Sequence, residues 1–505
     1  MPLMWAITNH HLANAFRERA IGEHAENIEA SIFHLRQALE IFDEDTMPAK
    51  WATAMNSLGM AYAGRIKGSK EENIEEALLC YKSALQVSTS KASPLDWARL
   101  MINIGSAFAV RVEGNRSENI ENAISHYQQA LTVITQKNMP IMWATTLTNL
   151  ANTYTKSIGG HHQENVRKSI DAYRKALTVL EPELMPEECR RAAQGLANLY
   201  TQAQDWAEAV TVYEIGLRAV AALYQSAALL DSKASVLTET TDLYRRATYA
   251  LARNGSFNQT VETIERGRAR SLSEILNRDR ASLVNLQDIR FDLYTQYISM
   301  VRQIRGIETK QRDRAVSQER HSITPETLME HAATLHHQLK ILIQEIREVP
   351  GYKSFLSLST FNDVQKAAHI DCPLIYLLST PDGSLALIVT PQDSQSIFLD
   401  GFAEEQLRQI LQAWFLGYKQ AQNEVTASSF KNCQPWLKTI DSVTEQIWET
   451  LMQPLTHHLK SHNFNRAILI PTGYLNLLPL HAAWTEDKTC STGRRYAFDE
   501  IHFIY

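Results

Sequence analysis

The sequence predicts a mostly α-helical protein: a helical repeat solenoid, then a helical linker, then an incomplete α/β domain. Three observations lead to this fold class. A repeat of 46 residues runs from the start of the chain, its phase is lost after Leu217, and short continuous apolar runs replace the helical pattern after residue 350. The predicted boundaries are 1–222 for the array, 223–350 for the linker and 351–505 for the α/β region.

The repeat is visible in several residue columns, each advancing by 46 residues. The columns are Pro2, Pro48, Pro94, Pro140 and Pro186; Trp5, Trp51, Trp97 and Trp143, with Cys189 in the fifth place; Gly22, Gly68, Gly114 and Gly160; and Asn27, Asn73, Asn119 and Asn165. A fixed period of this size is typical of stacked repeats, so the first two-fifths of the chain should form a continuous array.

Each unit should contain two helices joined by a glycine-containing turn. In the second unit, apolar and small residues recur every three or four positions on both sides of the turn, as on one helix face. The signature residues, to which we assign structural roles, are Trp51, Leu58, Gly59, Tyr62, Gly68, Asn73, Ala77 and Tyr81. Gly68 suits a positive φ after a helix, and Asn73 suits the N-cap of the next helix.

The run Leu58-Gly59-x-x-Tyr62, followed by Ala77 and Ala84, resembles the tetratricopeptide (TPR) repeat. The usual TPR period is about 34 residues, so the units here are longer than the family's. The fifth unit has a shorter interval between its helices, since Tyr200 and Tyr213 are 13 residues apart.

Arg19, Arg65 and Arg111 form a further column, at the end of the first helix in three successive units. One interpretation is a ladder of charge that binds a peptide partner, which makes these arginines candidate partner-binding residues. The other is local, because arginine at a helix C-terminus is favoured by the helix dipole. We prefer the local interpretation and keep both.

The linker keeps a helical pattern. One helix contains Glu265-Arg266-Gly267-Arg268-Ala269-Arg270, and its arginines Arg266, Arg268 and Arg270 raise the hypothesis of a nucleic-acid contact. Leu272 follows at helical spacing, which favours an amphipathic helix with a solvated charged face. The polar stretch 305–325 is interpreted as a flexible link.

The last third shows strand signals. Residues 373–379 and 384–389 are apolar runs on either side of a Pro-Asp-Gly turn, which predicts two paired strands. A third apolar run, 466–470, suits a buried parallel strand. Because helical patterns lie between these runs, an α/β domain is expected.

A repeat array, the Glu-Arg-Gly-Arg-Ala-Arg helix and the phrase from Ile468 to Ala483 together resemble the CHAT family of caspase-like proteins. The resemblance implies a caspase-hemoglobinase α/β sheet and a His–Cys dyad that cleaves peptide bonds. It also implies repeats that receive partners or restrain the protease domain. The phrase residues, taken as structural, are Pro471, Gly473, Leu478, Pro479 and His481.

The implied dyad does not occur in the 505 residues. The family's histidine lies in a His-Gly phrase and its cysteine in a Ser-Ala-Cys phrase, yet no His-Gly follows His481 and Cys490 lies in a polar stretch. A thiolate nucleophile needs a base within hydrogen-bond reach. We therefore predict no catalytic residues. The apolar ending Phe503-Ile504-Tyr505 and the in-phase Met1 lead us to expect a truncated or split gene.

Composition excludes several other classes. A net charge of −6 argues against a generally basic nucleic-acid binder, and no apolar run is long enough for a membrane span. The start lacks a secretory pattern, and five scattered cysteines without a C-x-x-C pair favour neither disulfides nor zinc. We expect a cytoplasmic protein with no metal or cofactor.

Three functions remain. The preferred one is an interaction scaffold that binds a protein or peptide partner on its array and carries an incomplete, inactive caspase-like domain. The alternative is the N-terminal portion of a CHAT-family cysteine peptidase whose dyad lies beyond residue 505. The third is a nucleic-acid-responsive regulator that uses Arg266, Arg268 and Arg270, which would bind with a steep salt dependence. Oligomeric state is not predicted.

Overall fold

The computed structural model describes most of the chain, and it divides into two compact units, Met1–Leu199 and Tyr200–Tyr505. The described residues are 2–19, 23–157, 162–226, 230–280, 283–316, 325–353, 355–356, 360–425 and 434–505. Gly22 and Gly160 of the glycine column therefore lie outside the described residues. Among the helices that are described, none is long and apolar enough to cross a membrane.

The first unit is an array of antiparallel helix pairs in the predicted phase. Its helices are α1 Pro2–Glu18, α2 His24–Leu39, α3 Pro48–Ala63, α4 Lys70–Val87, α5 Pro94–Val110, α6 Arg116–Ala130, α7 Pro140–Tyr154, α8 His162–Leu177 and α9 Pro186–Gln202. Every first helix begins at a residue of the proline column, because the fixed φ of proline suits the first helical position and its missing N–H leaves no helix hydrogen bond unmade.

The two helices of a pair pack through one glycine and one tyrosine. A Cβ on Gly59 would lie 2.5 Å from Cε1 of Tyr81, so only glycine allows α3 and α4 this approach. Gly105 and Tyr127 repeat the arrangement in the next pair. Because Leu58, Tyr62 and Ala77 are buried and Trp51 is half-buried against the same cluster, the signature residues form the core of the array. The array is a TPR-like helical repeat.

The asparagine column does not cap helices, which differs from the prediction. The N-cap of α4 is Ser69, and Asn73 lies inside the first turn, 4 % exposed. Its Nδ2 donates to the carbonyl oxygens of Lys67 at 2.9 Å and Arg65 at 3.4 Å. Asn73 therefore satisfies carbonyl groups of the turn rather than N–H groups of the helix. Gly68, in that turn, has the expected positive φ of 82°.

The second unit begins with helices. They are α10 Trp206–Ser226, α11 Leu230–Arg253, α12 Phe257–Arg280, α13 Val284–Ile289, α14 Phe291–Val316, α15 Pro325–Arg347 and α16 Phe361–Ala367. The predicted flexible link at 305–325 is wrong for residues 305–316, which continue α14, and residues 317–324 lie outside the described part of the chain. Helices α13, α14 and α15 share an apolar cluster of their own.

A five-stranded mixed sheet follows. Its strands and the helices between them are β1 Leu374–Thr380, β2 Gly383–Val389, β3 Ser394–Leu399, α17 Glu404–Val425, α18 Gln434–Ile447, a π-helical turn Trp448–Met452, α19 Gln453–Ser461, β4 Arg466–Pro471, α20 Ala497–Glu500 and β7 His502–Ile504. The order is β3-β2-β1-β4-β7, with β1, β4 and β7 parallel. A separate hairpin pairs β5 Trp484–Glu486 with β6 Arg494–Tyr496.

Helices cover both faces of this sheet. Alternate residues of β1 point to opposite sides, so Ile375 and Leu377 pack with α17, α18 and α19, whereas Leu374 and Tyr376 pack with α11, α12 and α16. This explains why residues 374–378 of β1 and 385–389 of β2 are continuous apolar runs, as expected for strands buried on both faces. An α/β region is thus present where the apolar runs predicted it.

Candidate partner-binding surface

The first helices of the array lie side by side and form one continuous surface. Helix α3 contacts both α1 and α5, and α5 contacts α7. A side chain at the same repeat position therefore recurs along the surface at each step of the array. This is the kind of extended surface on which repeat proteins bind partners.

Polar side chains occupy two adjacent positions on this surface. We call His10, Asn56, Asn103 and Asn149 the polar row; all four are only partly exposed. His10 and Asn56 share one repeat column, and Asn103 and Asn149 share the next. Nδ2 of Asn103 donates to Oδ1 of Asn56 at 2.8 Å, across from α5 to α3.

The ends of the polar row differ in their bonding. His10 Nε2 lies 3.0 Å from the hydroxyl of Ser57 on α3, so the row continues to the first helix. At the other end, the side-chain amide of Asn149 makes no hydrogen bond to any described residue, and Ile102 occupies the neighbouring position on α5. Asn149 thus presents a donor and an acceptor at the surface.

His10 is the titratable member of the row. Burial lowers its pKa below the usual value, and the charges of His11 and Arg17 lower it further. The neutral ring is therefore the form that the folded array favours near neutral pH. A neutral imidazole can accept a hydrogen bond from a hydroxyl or an amide.

The predicted arginine column lies elsewhere, at the junctions between repeats. Arg65 donates from Nε and Nη2 to the two carboxylate oxygens of Glu29, at 2.8 and 3.0 Å. Arg111 does the same to Glu75, at 2.6 and 2.9 Å. We call each bidentate pair a junction clamp. These hydrogen bonds hold the pKa of Glu29 and Glu75 below the usual range.

Each clamp also holds the turn within its own repeat. Nη1 of Arg65 lies 3.5 Å from Oδ1 of Asn73, and Nη1 of Arg111 lies 3.4 Å from Oδ1 of Asn119. Arg19 follows α1, and its carbonyl oxygen lies 3.3 Å from Nδ2 of Asn27. The arginine column thus sits with the asparagine column rather than on the polar row.

Sequence reasoning missed the glutamates of the clamps. Glu29, Glu75 and Glu121 are spaced 46 residues apart, as the arginines are. The glutamate of each clamp lies 36 residues before its arginine, so the clamp joins two different repeats. The signal in the sequence that could have indicated them is this second charged column, a column of glutamates with the same 46-residue spacing as the arginines. At the third junction the arginine position is Ser157, so Glu121 has no arginine opposite it.

The described arginines of α12, Arg266 and Arg268, are exposed and lie near glutamates of their own helix. Arg266 lies 3.3 Å from Glu262 and Arg268 lies 3.9 Å from Glu265 on the same helix. Glu262 also accepts a hydrogen bond from the backbone N–H of Phe361 at 3.0 Å. The side chain of Arg270 lies outside the described residues.

The phrase that suggested a caspase-like domain forms β4 and the turns after it. Pro471 ends β4, Gly473 has a positive φ of 57° and Leu478 is buried. His481, two residues after Pro479, is exposed, and its Nδ1 lies 3.0 Å from the hydroxyl of Tyr505. Cys490 lies in the turn between β5 and β6, where its N–H donates to the carbonyl of Asp487.

No group of three or more metal-binding side chains occurs in the part of the chain that the structure describes. A cofactor site is likewise not assigned.

Comparisons with known proteins give one family model and several similar solved structures. The family model for soluble NSF attachment protein (SNAP) matches residues 71–234. Among solved structures, PilF of Pseudomonas aeruginosa is similar at 17 % identity and a TM-score of 0.31, over 48 % of this chain and 93 % of that one.

Two further solved structures are similar at this level. The TPR2AB domain of yeast Sti1 in its complex with pHSP90 has 15 % identity and a TM-score of 0.21, over 52 % of this chain and 98 % of that one. A Rap protein complexed with competence and sporulation factor has 14 % identity and a TM-score of 0.29, over 68 % and 98 %. No curated protein sequence matches the chain.

Proposed function

We propose that the protein is an interaction scaffold whose repeat array binds an extended peptide segment of a partner protein on the polar row. The observation that supports this is the line of partly exposed amides on successive first helices, in which Asn56 and Asn103 are joined at 2.8 Å. An amide side chain donates and accepts at once, as a peptide unit does. A line of amides can therefore pair with the backbone of an extended chain.

The arginine column has a different role in this proposal. Arg65 and Arg111 hold adjacent repeats together, because both oxygens of Glu29 and Glu75 already accept from them. The partner-binding role first considered for Arg19, Arg65 and Arg111 is thus the less favoured one. We also keep the division 1–222, 223–350 and 351–505 as a functional proposal, with the partner on the first segment.

The test compares partners retained by the wild-type chain with those retained by the Asn103→Ala/Asn149→Ala variant. Asn122→Ala is the matched control, because Asn122 is an exposed asparagine on the second helix α6. We expect a partner that is lost from the double variant and kept by the control, followed by a measured affinity for the purified pair. Equal retention by all three proteins would refute the polar row as the binding site.

A second candidate function rests on the α/β region. The phrase from Ile468 to Ala483 and the parallel strands β1, β4 and β7 favour the N-terminal portion of a CHAT-like cysteine peptidase, with the dyad on further residues or a separate chain. A cytoplasmic location belongs to this proposal as well, because the free thiols of Cys80, Cys372 and Cys490 suit a reducing compartment.

This candidate is tested with purified protein and peptide substrates. We expect no cleavage by the chain alone, and cleavage when a neighbouring gene product with His-Gly and Ser-Ala-Cys phrases is added. If every adjacent reading frame lacks both phrases, the peptidase candidate is wrong and the scaffold remains.

A further inference from the structure

Two arginines lie beside the polar row on the first helices. Arg17 is at the end of α1, two helical turns after His10. Arg191 is in the second turn of α9, one helical turn before the residue at the repeat position of Asn149. Residues one or two turns apart share a helix face, so both arginines lie on the surface that carries the row. We call Arg17 and Arg191 the row arginines.

Arg17 reaches from α1 toward the polar row on α3. Its Nη1 lies 3.5 Å from Sδ of Met60, and Nδ2 of Asn56, a member of the row, lies 3.9 Å from the same sulfur. The buried Nε of Arg17 has no hydrogen-bond partner among the described residues. Nη2 donates to Glu18 at 3.2 Å, but the Glu18 side chain is 74 % exposed. Because a thioether is a weak acceptor and an exposed ion pair is weak, this guanidinium can still bind a carboxylate of a partner.

Arg191 places a positive charge near the polar side chains of α5 and α7. Its side chain is exposed, and no carboxylate of the described residues lies within ion-pair distance of it. Burial raises the pKa of Tyr127 and of Tyr173, and the charge of Arg191 partly offsets this rise in both. The hydroxyl of Tyr127 lies 2.9 Å from Oγ of Ser106 on α5, and that of Tyr173 donates to Oδ1 of Asn152 on α7 at 2.5 Å. The Arg191 charge is therefore close to both helices.

The other charges of the first helices do not oppose an acidic partner. Helix α7, in the middle of the row, has no charged residue, and Lys156, just after it, is exposed. Three carboxylates of the other first helices are each paired with an arginine. The pairs are Arg17–Glu18, Arg99–Asp96 and Arg190–Glu187. The fourth carboxylate, Glu188, lies in the first turn of α9, where the helix dipole favours a negative charge. This surface therefore attracts an acidic segment, although the whole chain has a net charge of −6.

We propose that the segment bound on the polar row is acidic, and that its Asp or Glu side chains pair with Arg17 and Arg191. This inference rests on the proposed function: the amides of the row hold the backbone of the segment, and the row arginines select its side chains. A guanidinium can bind a carboxylate through two parallel hydrogen bonds, so each row arginine adds geometric specificity as well as affinity. Alternate side chains of an extended segment point the same way, so acidic residues at alternate positions suit this surface.

The probe is a fluorescein-labelled peptide in which glutamate alternates with serine. Two further peptides of the same length carry glutamine or lysine in place of every glutamate. Fluorescence anisotropy is measured against the full chain and the variants Arg17→Gln, Arg191→Gln and Arg191→Lys. The competitors are the unlabelled glutamate peptide and a single-stranded oligonucleotide. Arg167→Gln is the matched control, because the Arg167 side chain is 82 % exposed on the second helix α8.

We expect the glutamate peptide to bind more tightly than the glutamine peptide, and the lysine peptide to bind most weakly. Arg17→Gln and Arg191→Gln should each weaken binding of the glutamate peptide by about two- to fivefold, the size expected of a solvent-exposed ion pair. Neither should change binding of the glutamine peptide. Arg191→Lys keeps the charge and should keep the preference for glutamate, and Arg167→Gln should bind as the wild type does. Added salt should weaken binding of the glutamate peptide, because it screens exposed charges.

Three results would overturn the inference. They are equal binding of the glutamate and glutamine peptides, unchanged binding of the glutamate peptide by Arg17→Gln and Arg191→Gln, or equal weakening by Arg167→Gln. Stronger competition by the oligonucleotide than by the unlabelled glutamate peptide would show that the row arginines bind nucleic acid instead. The proposed function fails separately, when Asn103→Ala/Asn149→Ala retains every partner. If that variant loses a partner while the glutamate preference is absent, the scaffold stands and the acidic selection is wrong. Circular dichroism of each variant confirms that the helices are retained.

Discussion

Tyr81 fills the space in which a Cβ at Gly59 would lie, 2.5 Å from its Cε1 atom. The ring is 2 % exposed and has no room to move aside within the packed pair α3 and α4. Gly59→Ala should therefore destabilise the array by about 1–3 kcal/mol, as overpacking of a core does. Urea unfolding followed by circular dichroism measures the change, and hydrogen exchange locates it in α3 and α4.

Gly64→Ala, at the C-cap of the same helix, is the matched control. The nearest atom to its added Cβ is 3.6 Å away, and its φ of −91° suits alanine. No loss of stability is expected, because alanine lowers the entropy of the unfolded chain. If both variants lost stability equally, the glycine–tyrosine contact would not be the cause.

His10 should make the stability of the array fall as the pH falls. Its folded pKa is lowered, mainly by burial, so folding favours the neutral ring. The stability it contributes is fully present above the unfolded pKa of about 6.5 and is lost as the pH falls through the lower folded value. The protection of amides in α1 and α3 against hydrogen exchange, corrected for the intrinsic pH dependence of exchange, should fall below about pH 6.5.

His10→Asn removes the titration and keeps a side chain that can bond to Ser57. In the variant, the protection of amides in α1 and α3 should not fall in this way at low pH. An identical pH profile in wild type and variant would assign the effect to other groups.

At the level of elements, the third junction of the array lacks a clamp. Ser157→Arg places an arginine opposite Glu121, as Arg111 lies opposite Glu75. The existing pairs are about one-quarter to one-third exposed, so solvent weakens them and the gain should be about 0.2–1 kcal/mol. Thermal unfolding measures it.

Glu121→Gln in the same background tests the mechanism. A clamp requires the carboxylate, so the gain from Ser157→Arg should vanish in the double variant. A gain that persists would show that the arginine acts through the helix dipole of α7 instead.

The elements also show what the sequence can predict. The spacing of apolar residues and a proline at the start of each first helix are local signals. The helix pairs of the array and the strands β1, β2 and β4 therefore follow from the sequence. The predicted capping role of Asn73 was wrong: Ser69 caps α4, and the amide of Asn73 donates to carbonyl groups of the turn before it, a pairing that residue spacing alone does not distinguish from capping. The clamps were missed because Glu29 and Arg65 belong to different repeats and meet only when the repeats stack.

At the scale of the whole molecule, the apolar clusters of the array and those of the sheet lie in different compact units. The clusters around Tyr81 and Tyr127 belong to Met1–Leu199, and those on the two faces of the sheet belong to Tyr200–Tyr505. A unit with its own core can unfold on its own. Unfolding of the chain should therefore not be a single two-state transition.

Calorimetry with one destabilising variant in each unit tests this expectation. Gly59→Ala acts in the array, and Gly417→Ala acts in the second unit, where a Cβ would lie 2.6 Å from Oγ1 of Thr439 between α17 and α18. Each variant should lower the temperature of one transition and leave the other in place, because overpacking weakens only the core that contains it. If either variant shifted all of the heat absorption together, the two units would unfold as one cooperative body, and the division into separate cores would have no thermodynamic counterpart.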